Sequence, residues 1–249
     1  MTLISLITCV HNRQAFLAAT IRSVLAQTHR EFEYLIWDDG SIDDSLSIAQ
    51  QYAQRDPRIR VVAVPHQGIA PSLKAAIAAT AGQYLGWVDS DDLLAPTAIE
   101  QTAAVLDANP TIGLVYTDYR VIDKQGQDLG LGQRCRIPYS KDQLLIDFMT
   151  FHFRLMRRSV YDQVGGIDSM YQRAEDYDLC LRLSEVTGVC RIQHPLYHYR
   201  RHTSNLTNNQ LEQIRWAHKA SNEALKRRGL DRYYAIELQN QSQFVLRKR

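Results

Sequence analysis

Apolar and polar positions follow two alternating periods over the first 120 residues. A short apolar, β-rich run at 3–10 precedes 14–27, where Phe16, Leu17, Ile21, Val24 and Leu25 recur at the spacing of an amphipathic helix. The same couplet repeats. A strand at 32–37 leads to a helix that opens at Asp43 or Asp44, runs through Tyr52 and breaks at Asp56-Pro57. A strand at 59–64 leads to an Ala-rich helix at 69–80 closed by Gly82. A strand at 84–88 leads to a helix that begins near Pro96 and stops at Asn109-Pro110, before a fifth strand at 112–117. Strands separated by helices predict a parallel sheet covered on both faces, because each parallel connection must cross back over the sheet. Polar loops just after the strands mark the edge at which such sheets bind ligands.

The rhythm changes at 118. Segments 119–123 and 127–131 flank a Lys-Gln-Gly turn and predict a hairpin, which makes the sheet mixed. A short helix at 159–164 ends at Gly165-Gly166, a helix follows at 177–185, and 195–199 reads as a strand. Two helices are predicted at about 209–228 and 231–245, separated by Gly229. No repeat or flexible linker interrupts the pattern. The expected organisation is one domain over 1–204, with halves meeting near 118, and a helical extension over 205–249.

Composition narrows the class without naming an activity. The 249 residues are 45% hydrophobic and 22% charged, which excludes a disordered or low-complexity chain. A net charge of +2 argues against a nucleic-acid coat. That total conceals a split: residues 1–199 sum to −5 and residues 200–249 to +7. The basic segment, with Arg215, Lys219 and Lys226-Arg227-Arg228 among apolar residues, suits either an anionic membrane surface or a helix docked by its apolar face. The apolar start lacks the features of a secretory signal, and no run reaches the roughly 20 residues of a membrane span. Cys9, Cys135, Cys180 and Cys190 have neither metal-site nor disulfide-framework spacing. A cytoplasmic protein is expected.

Three acidic clusters carry the candidate chemistry. Asp89-Ser90-Asp91-Asp92 follows directly on an apolar strand, and three carboxylates in four residues call for a cation or solvent between them. A loop that merely caps the next helix is the competing reading. Asp38-Asp39-Gly40-Ser41 ends the second strand, where an Asp can accept a base N–H. Glu175-Asp176-Tyr177-Asp178 opens a helix, with Asp176 placed to act as a general base. His198, Arg200, Arg201 and His202 form a basic patch able to neutralise a departing diphosphate. Neither a dinucleotide fingerprint nor a Walker loop follows the first strand.

In this order the motifs resemble the inverting nucleotide-sugar glycosyltransferases of family 2, with the GT-A fold. The resemblance spans about 3–202: Thr8-x-x-x-Asn12-Arg13, Trp37-Asp38-Asp39-Gly40-Ser41, Asp89-Ser90-Asp91-Asp92, Gly165-Gly166-Ile167-Asp168, Glu175-Asp176-Tyr177-Asp178-Leu179 and Tyr199-Arg200-Arg201-His202. It implies a mixed α/β sheet flanked by helices, with a nucleotide-sugar half over 1–118 and an acceptor half over 119–204. It implies donor contacts from Thr8, His11, Asn12, Arg13, Asp38, Asp89, Ser90, Asp91, Arg200, Arg201 and His202. Asp38 would meet a uracil-like base, Asp91 would reach a Mg²⁺ or Mn²⁺ ion and the diphosphate, and Asp176 would be the catalytic base. One segment departs from the family pattern: an Arg-Asn pair and a Gly are replaced by Leu73, Lys74 and Ala76, so Lys74 is the substitute donor contact. Phe151, His152, Arg173 and Glu175 are expected on the acceptor side. The implied partners are a nucleoside-diphosphate sugar and a saccharide or lipid-linked saccharide acceptor, with no nucleic acid. A sugar-phosphate nucleotidyltransferase and a non-catalytic nucleotide-sugar binder are the alternatives.

Overall fold

The computed structural model describes residues 2–203, 205, 209–239 and 243–249. Its core is one sheet in the order β3-β2-β1-β4-β8-β6-β9-β5, with β7 on the free end of β6. Strands β1 (Ile4–Val10), β2 (Phe32–Asp39), β3 (Ile59–Val64) and β4 (Tyr84–Trp87) are mutually parallel where they pair. Helices α1 (Leu17–Leu25), α2 (Ser45–Ala53) and α3 (Ile69–Ala78) make the crossings between them. Helix α1 owes its place to a stripe of Leu17, Thr20, Ile21 and Val24, all buried.

The period of two along β1 divides the core. Ile4, Leu6 and Val10 join α1, α2 and α4 (Ala98–Ala108) on one face, while Ile7 joins α3 on the other. The second half closes onto this frame through β8 (Arg154–Arg157), which inserts antiparallel between β4 and β6 (Ile112–Ile122). Gly86 on β4 makes that pairing possible: a Cβ there would lie 2.9 Å from the Phe153 ring. Strand β6 runs unbroken through residue 118, and β7 (Asp128–Leu131) turns back on it as expected.

Three elements differ from the sequence expectations. The strand predicted at 195–199 is β9 (Gly188–Arg200), thirteen residues long and parallel to β6. Its first half is partly exposed and carries Arg191, Gln193 and His194, so hydrophobicity alone does not mark it. The short strand β5 (Leu93–Leu94) pairs with β9 directly after the acidic loop. Helix α5 (Arg158–Gln163), helix α6 (Glu175–Val186) and helix α7 (Gln210–Arg227) form near their expected places. The helix expected at 231–245 does not form. Instead β10 (Tyr234–Gln239) and β11 (Gln243–Lys248) make an antiparallel hairpin. Tyr234, Ile236, Phe244 and Leu246 alternate at period two and pack on the core cluster beneath α7, which a helix could not achieve with that spacing. The C-terminal extension is therefore a helix and a hairpin. No helix among the described residues is long and apolar enough to cross a membrane.

Candidate active site

The loops after β1, β2, β3 and β4 open into a cleft of about 1050 Å³, closed opposite by residues 148–152, 172–176 and the first turn of α7. At its outer end Asp39 organises the wall. Its buried carboxylate accepts hydrogen bonds from the Gln67 and Gly68 N–H groups at 2.9 and 3.0 Å and from Ser72 Oγ at 2.7 Å. His66 Nδ1 lies 2.8 Å from the same carboxylate. The His11 ring stacks on His66 at 4.1 Å, with its Nδ1 2.8 Å from the Asp39 carbonyl. Gly40, at φ +72°, permits this approach, since a Cβ would lie 2.6 Å from the His66 nitrogen.

Several expected donor contacts lie elsewhere. The pleat turns Asp38 away from the cleft as it turns Asp39 in; Asp38 is 1% exposed and accepts the Ser41 N–H at 3.0 Å. The carboxylate presented by β2 is thus Asp39. Thr8 is fully buried and ties Val88 O and the Tyr34 hydroxyl, both at 2.9 Å, so it clamps strands together. Asn12 braces the loop from behind, bonding His11 Nε2 and accepting the Ile42 N–H. Lys74 is exposed on α3, outside the cleft, while its neighbours Ser72 and Leu73 line it. Arg200 is buried beneath the acidic loop, where its Nε donates to Asp91 O at 2.7 Å and its guanidinium covers Phe16. Arg201 is exposed and does not line the cleft.

The remaining expected residues converge. Asp91 is held by Arg13 Nε at 3.2 Å and His202 Nε2 at 2.9 Å, and Ser90 lines the wall beside it. Asp92 points inward and accepts the Arg200 N–H at 2.7 Å; burial, then Asp91 and Asp89, push its carboxyl well above the usual range. Asp89 faces the cleft, 3.3 Å from His152 Nε2. Burial works against its charge, but His152, with Arg154 and Arg13 beyond, outweighs this and lowers its pKa.

Across the cleft, Ala174 adopts φ +59° ahead of α6, and the first turn that follows presents Glu175 and Asp176. Asp176 accepts the Tyr177 N–H at 2.8 Å and an N–H of Arg154 at 2.9 Å. Arg154 is 1% exposed, lies over Trp87 and reaches His152 Nε2 at 3.1 Å. A series of contacts, buried at His152 and Arg154, therefore joins the two walls: Asp89, His152, Arg154, Asp176. From sequence Arg154 only ends a candidate acceptor-side loop, 151–154, with no role of its own, although a lone charge in the apolar run Phe151-His152-Phe153-Arg154-Leu155-Met156 signals a buried partner. His66, Arg134 and Phe148 were missed, and Asp39 was read only as part of its motif; all four line the cleft. Phe151, His152, Arg173 and Glu175, the residues expected on the acceptor side, also line the cleft.

Burial, with Asp176 and Asp89 adding to it, pushes the Glu175 carboxyl up to about 8. Its folded value lies above the unfolded one, so the stability associated with its protonated form is complete below about 4.5 and is lost as pH rises through about 8. Glu175→Gln, which cannot ionise, is expected to gain stability over the parent as pH rises, by on the order of a few kcal/mol at pH 9. Melting curves at pH 5, 7 and 9 check this; a constant offset between the two proteins would exclude it.

Comparison with known proteins accords with this geometry. The model for glycosyl transferase family 2 matches residues 5–165. Chondroitin synthase of Escherichia coli is 31% identical over 239 residues, covering 96% of this chain and 35% of its own. The O-antigen biosynthesis protein RfbC of Myxococcus xanthus is 36% identical over 203 residues, covering 80% and 16%. The chain thus spans about a third or less of the length of these relatives. Among solved structures, S. aureus TarS 1-349 in complex with UDP-GlcNAc superposes with a TM-score of 0.72 at 16% identity, over 88% of this chain and 66% of its own. The mannosyltransferase PcManGT of Pyrobaculum calidifontis, in complex with GDP-Man and Mn²⁺, gives 0.70 at 17% identity, over 90% and 64%. The shared architecture is the GT-A fold.

Proposed function

Because the chain belongs to glycosyltransferase family 2, we propose that its cleft transfers a sugar, with inversion, from a nucleoside-diphosphate sugar to a hydroxyl of a saccharide or lipid-linked saccharide in glycoconjugate synthesis. The observation that carries this reading is the placement of Asp89 and Asp91 on one wall and Asp176 on the other, joined beneath by His152 and Arg154. His11 and His66, stacked on each other, present a flat, polar face suited to a heteroaromatic base, with the Asp39 carboxylate anchoring His66 behind it. Arg13 and His202 stand beside Asp91, where the diphosphate would lie.

Asp176 takes the proton of the acceptor hydroxyl as that oxygen attacks the anomeric carbon, and the nucleoside diphosphate departs from the opposite face. Arg154 holds one oxygen of Asp176 and the Tyr177 N–H the other, while the side chain lines the cleft and keeps 18% exposure. Arg13 and His202 offset charge growing on the leaving diphosphate. The residues also suit a divalent ion: Asp91 and Asp89 offer hard oxygen donors, with the His202 imidazole alongside. When bound, Mg²⁺ or Mn²⁺ supplies further positive charge to the diphosphate.

A panel of nucleotide sugars, scored for Mn²⁺-dependent binding and hydrolysis, tests the donor. A uridine donor is expected to lead, and clear preference for a guanosine or thymidine donor would replace it. Exhaustive chelation is expected to lower transfer on the order of 10²- to 10³-fold, with recovery on adding Mn²⁺. Undiminished transfer after chelation would remove the ion from the reaction. Pyrophosphate release from a nucleoside triphosphate and a sugar phosphate would favour a nucleotidyltransferase instead. A donor that binds yet is neither hydrolysed nor transferred would favour a non-catalytic binding protein.

For the basic C-terminal segment, docking on the catalytic body is favoured over membrane contact. Arg227 and Arg228 pair with Glu185 at 3.0 and 3.5 Å, while Ala220, Ala224 and Leu225 are buried.

A further inference from the structure

The cleft wall beyond His152 is both cationic and aromatic, and the reaction described above does not use it. Arg134 comes from the 3₁₀ turn Gln133–Arg136 and lies over Phe148 and Phe151, its guanidinium carbon 5.1 Å from each ring centroid. One of its N–H groups donates to the Phe148 carbonyl at 2.9 Å, and the residue lines the cleft. Arg173 lines the same side, just before Ala174. Both are half-buried, and among the described residues neither forms an ion pair.

The other guanidinium groups at the reacting centre are matched: Arg13 by Asp91 and Arg154 by Asp176. A guanidinium that is partly desolvated by two rings and has no counter-charge is unfavourable until an anion meets it. Its planar fork suits a carboxylate or phosphate. The donor diphosphate is a poor candidate for that anion. Arg134 is separated from Asp89 by two rings in series, His152 and then Phe151, whose centroids are 5.1 Å apart. Phe148, Phe151 and Tyr199 meanwhile line that wall and give it an aromatic surface suited to sugar C–H groups.

We propose that the acceptor is an anionic saccharide, with a carboxylate or phosphate close to the hydroxyl that is glycosylated, held by Arg134 and Arg173 against this aromatic wall. The proposal rests on the glycosyl-transfer reading and adds the chemical class of the acceptor to it. Acidic groups on the same cleft leave this charge in place: Asp176 pairs with Arg154, Asp89 lies beyond the His152 ring, Glu212 pairs with Arg215, and burial favours the neutral form of Glu175.

The test is titration calorimetry on the full chain loaded with UDP and Mn²⁺. Three glycans are compared: one ending in a hexuronic acid, its carboxyl-reduced counterpart, and one carrying a phosphomonoester. At least one anionic glycan is expected to bind about tenfold or more tightly than the neutral one, as a charge-assisted hydrogen bond supplies. Comparing the two anionic arms tells carboxylate from phosphate. Arg134→Gln and Arg173→Gln should each reduce the preference severalfold while the UDP Kd stays within about twofold. Arg173→Gln lies in a loop and keeps the test open if Arg134→Gln fails to fold. Equal binding of all three glycans overturns the proposal, as does loss of UDP affinity in both variants with the glycan ranking unchanged. If UDP and every nucleotide sugar fail to bind the parent protein, the glycosyl-transfer reading fails instead. The same glycans on unloaded protein then still decide whether the wall selects anions.

Discussion

Asp176→Asn is expected to lower kcat for sugar transfer by about 10³-fold while leaving the donor Kd within about twofold. Asparagine preserves shape and the Tyr177 N–H contact, so the loss would be that of proton acceptance. The variant also strips Arg154 of its carboxylate, and a guanidinium 1% exposed cannot recover that partner from water. Breaking a buried pair from one side costs about 3–5 kcal/mol; Asp176 keeps 18% exposure, so a smaller loss of about 2–3 kcal/mol is expected. The two effects separate in a double variant. Arg154→Met with Asp176→Asn removes the orphaned charge and should recover much of the melting temperature, yet none of the transfer. Near-normal transfer by Asp176→Asn would exclude Asp176 as the base.

The second large effect is expected at Asp39. Removing its carboxylate in Asp39→Ala leaves the Gln67 and Gly68 N–H groups and Ser72 Oγ without their acceptor, in a wall where Asp39 is 4% exposed. A loss of about 2–4 kcal/mol in stability follows from those unmet donors. Donor affinity should fall about 10²-fold, because the stacked His11–His66 face loses the carboxylate that anchors His66 and the loop carrying it. Asp38→Asn provides the contrast: its turn contact with Ser41 is retained and donor affinity should change less than about twofold. Calorimetric donor titrations on both variants decide the matter. A donor Kd that moves with residue 38 and not 39 would return the base contact to Asp38.

These two neighbours also show where sequence reading stops. The exit of β2 is visible from its apolar run and the Asp-Asp-Gly-Ser ending. Which carboxylate enters the cleft depends on the pleat relative to β1 and β3, set by pairing Val10 with Asp38 and Asp38 with Ala63. Both side chains are buried, so alternation of polarity carries no signal. The exits at Asp89 and Glu175 were legible because polar residues there interrupt apolar elements. Arg200 was legible as charge but misplaced as a contact, since the end of β9 turns it under the acidic loop. At the C-terminus, Tyr234, Ile236, Phe244 and Leu246 fit period two, yet their surroundings are rich in helix-forming residues; only docking on the core cluster decides. Arg134, Phe148 and Arg173 come from irregular segments far apart in the chain, and no local pattern announces their meeting.

The insertion of β8 between β4 and β6 has a bearing on how such an enzyme can diversify. The residues proposed to meet the donor precede Asp92, apart from His202 beside Asp91, and the wall proposed to meet an anion is assembled after Gly132. Exchange of the later portion between homologues would be a direct route to new acceptors with the donor conserved. Yet a crossover in α4 would separate β4 from β8, whose contact depends on Gly86 fitting against Phe153, and from Arg154, which lies over Trp87 and pairs with Asp176. A workable chimera must therefore transplant 152–157 with its recipient's own β4, so that recombination is free along the chain only where the sheet is not interleaved.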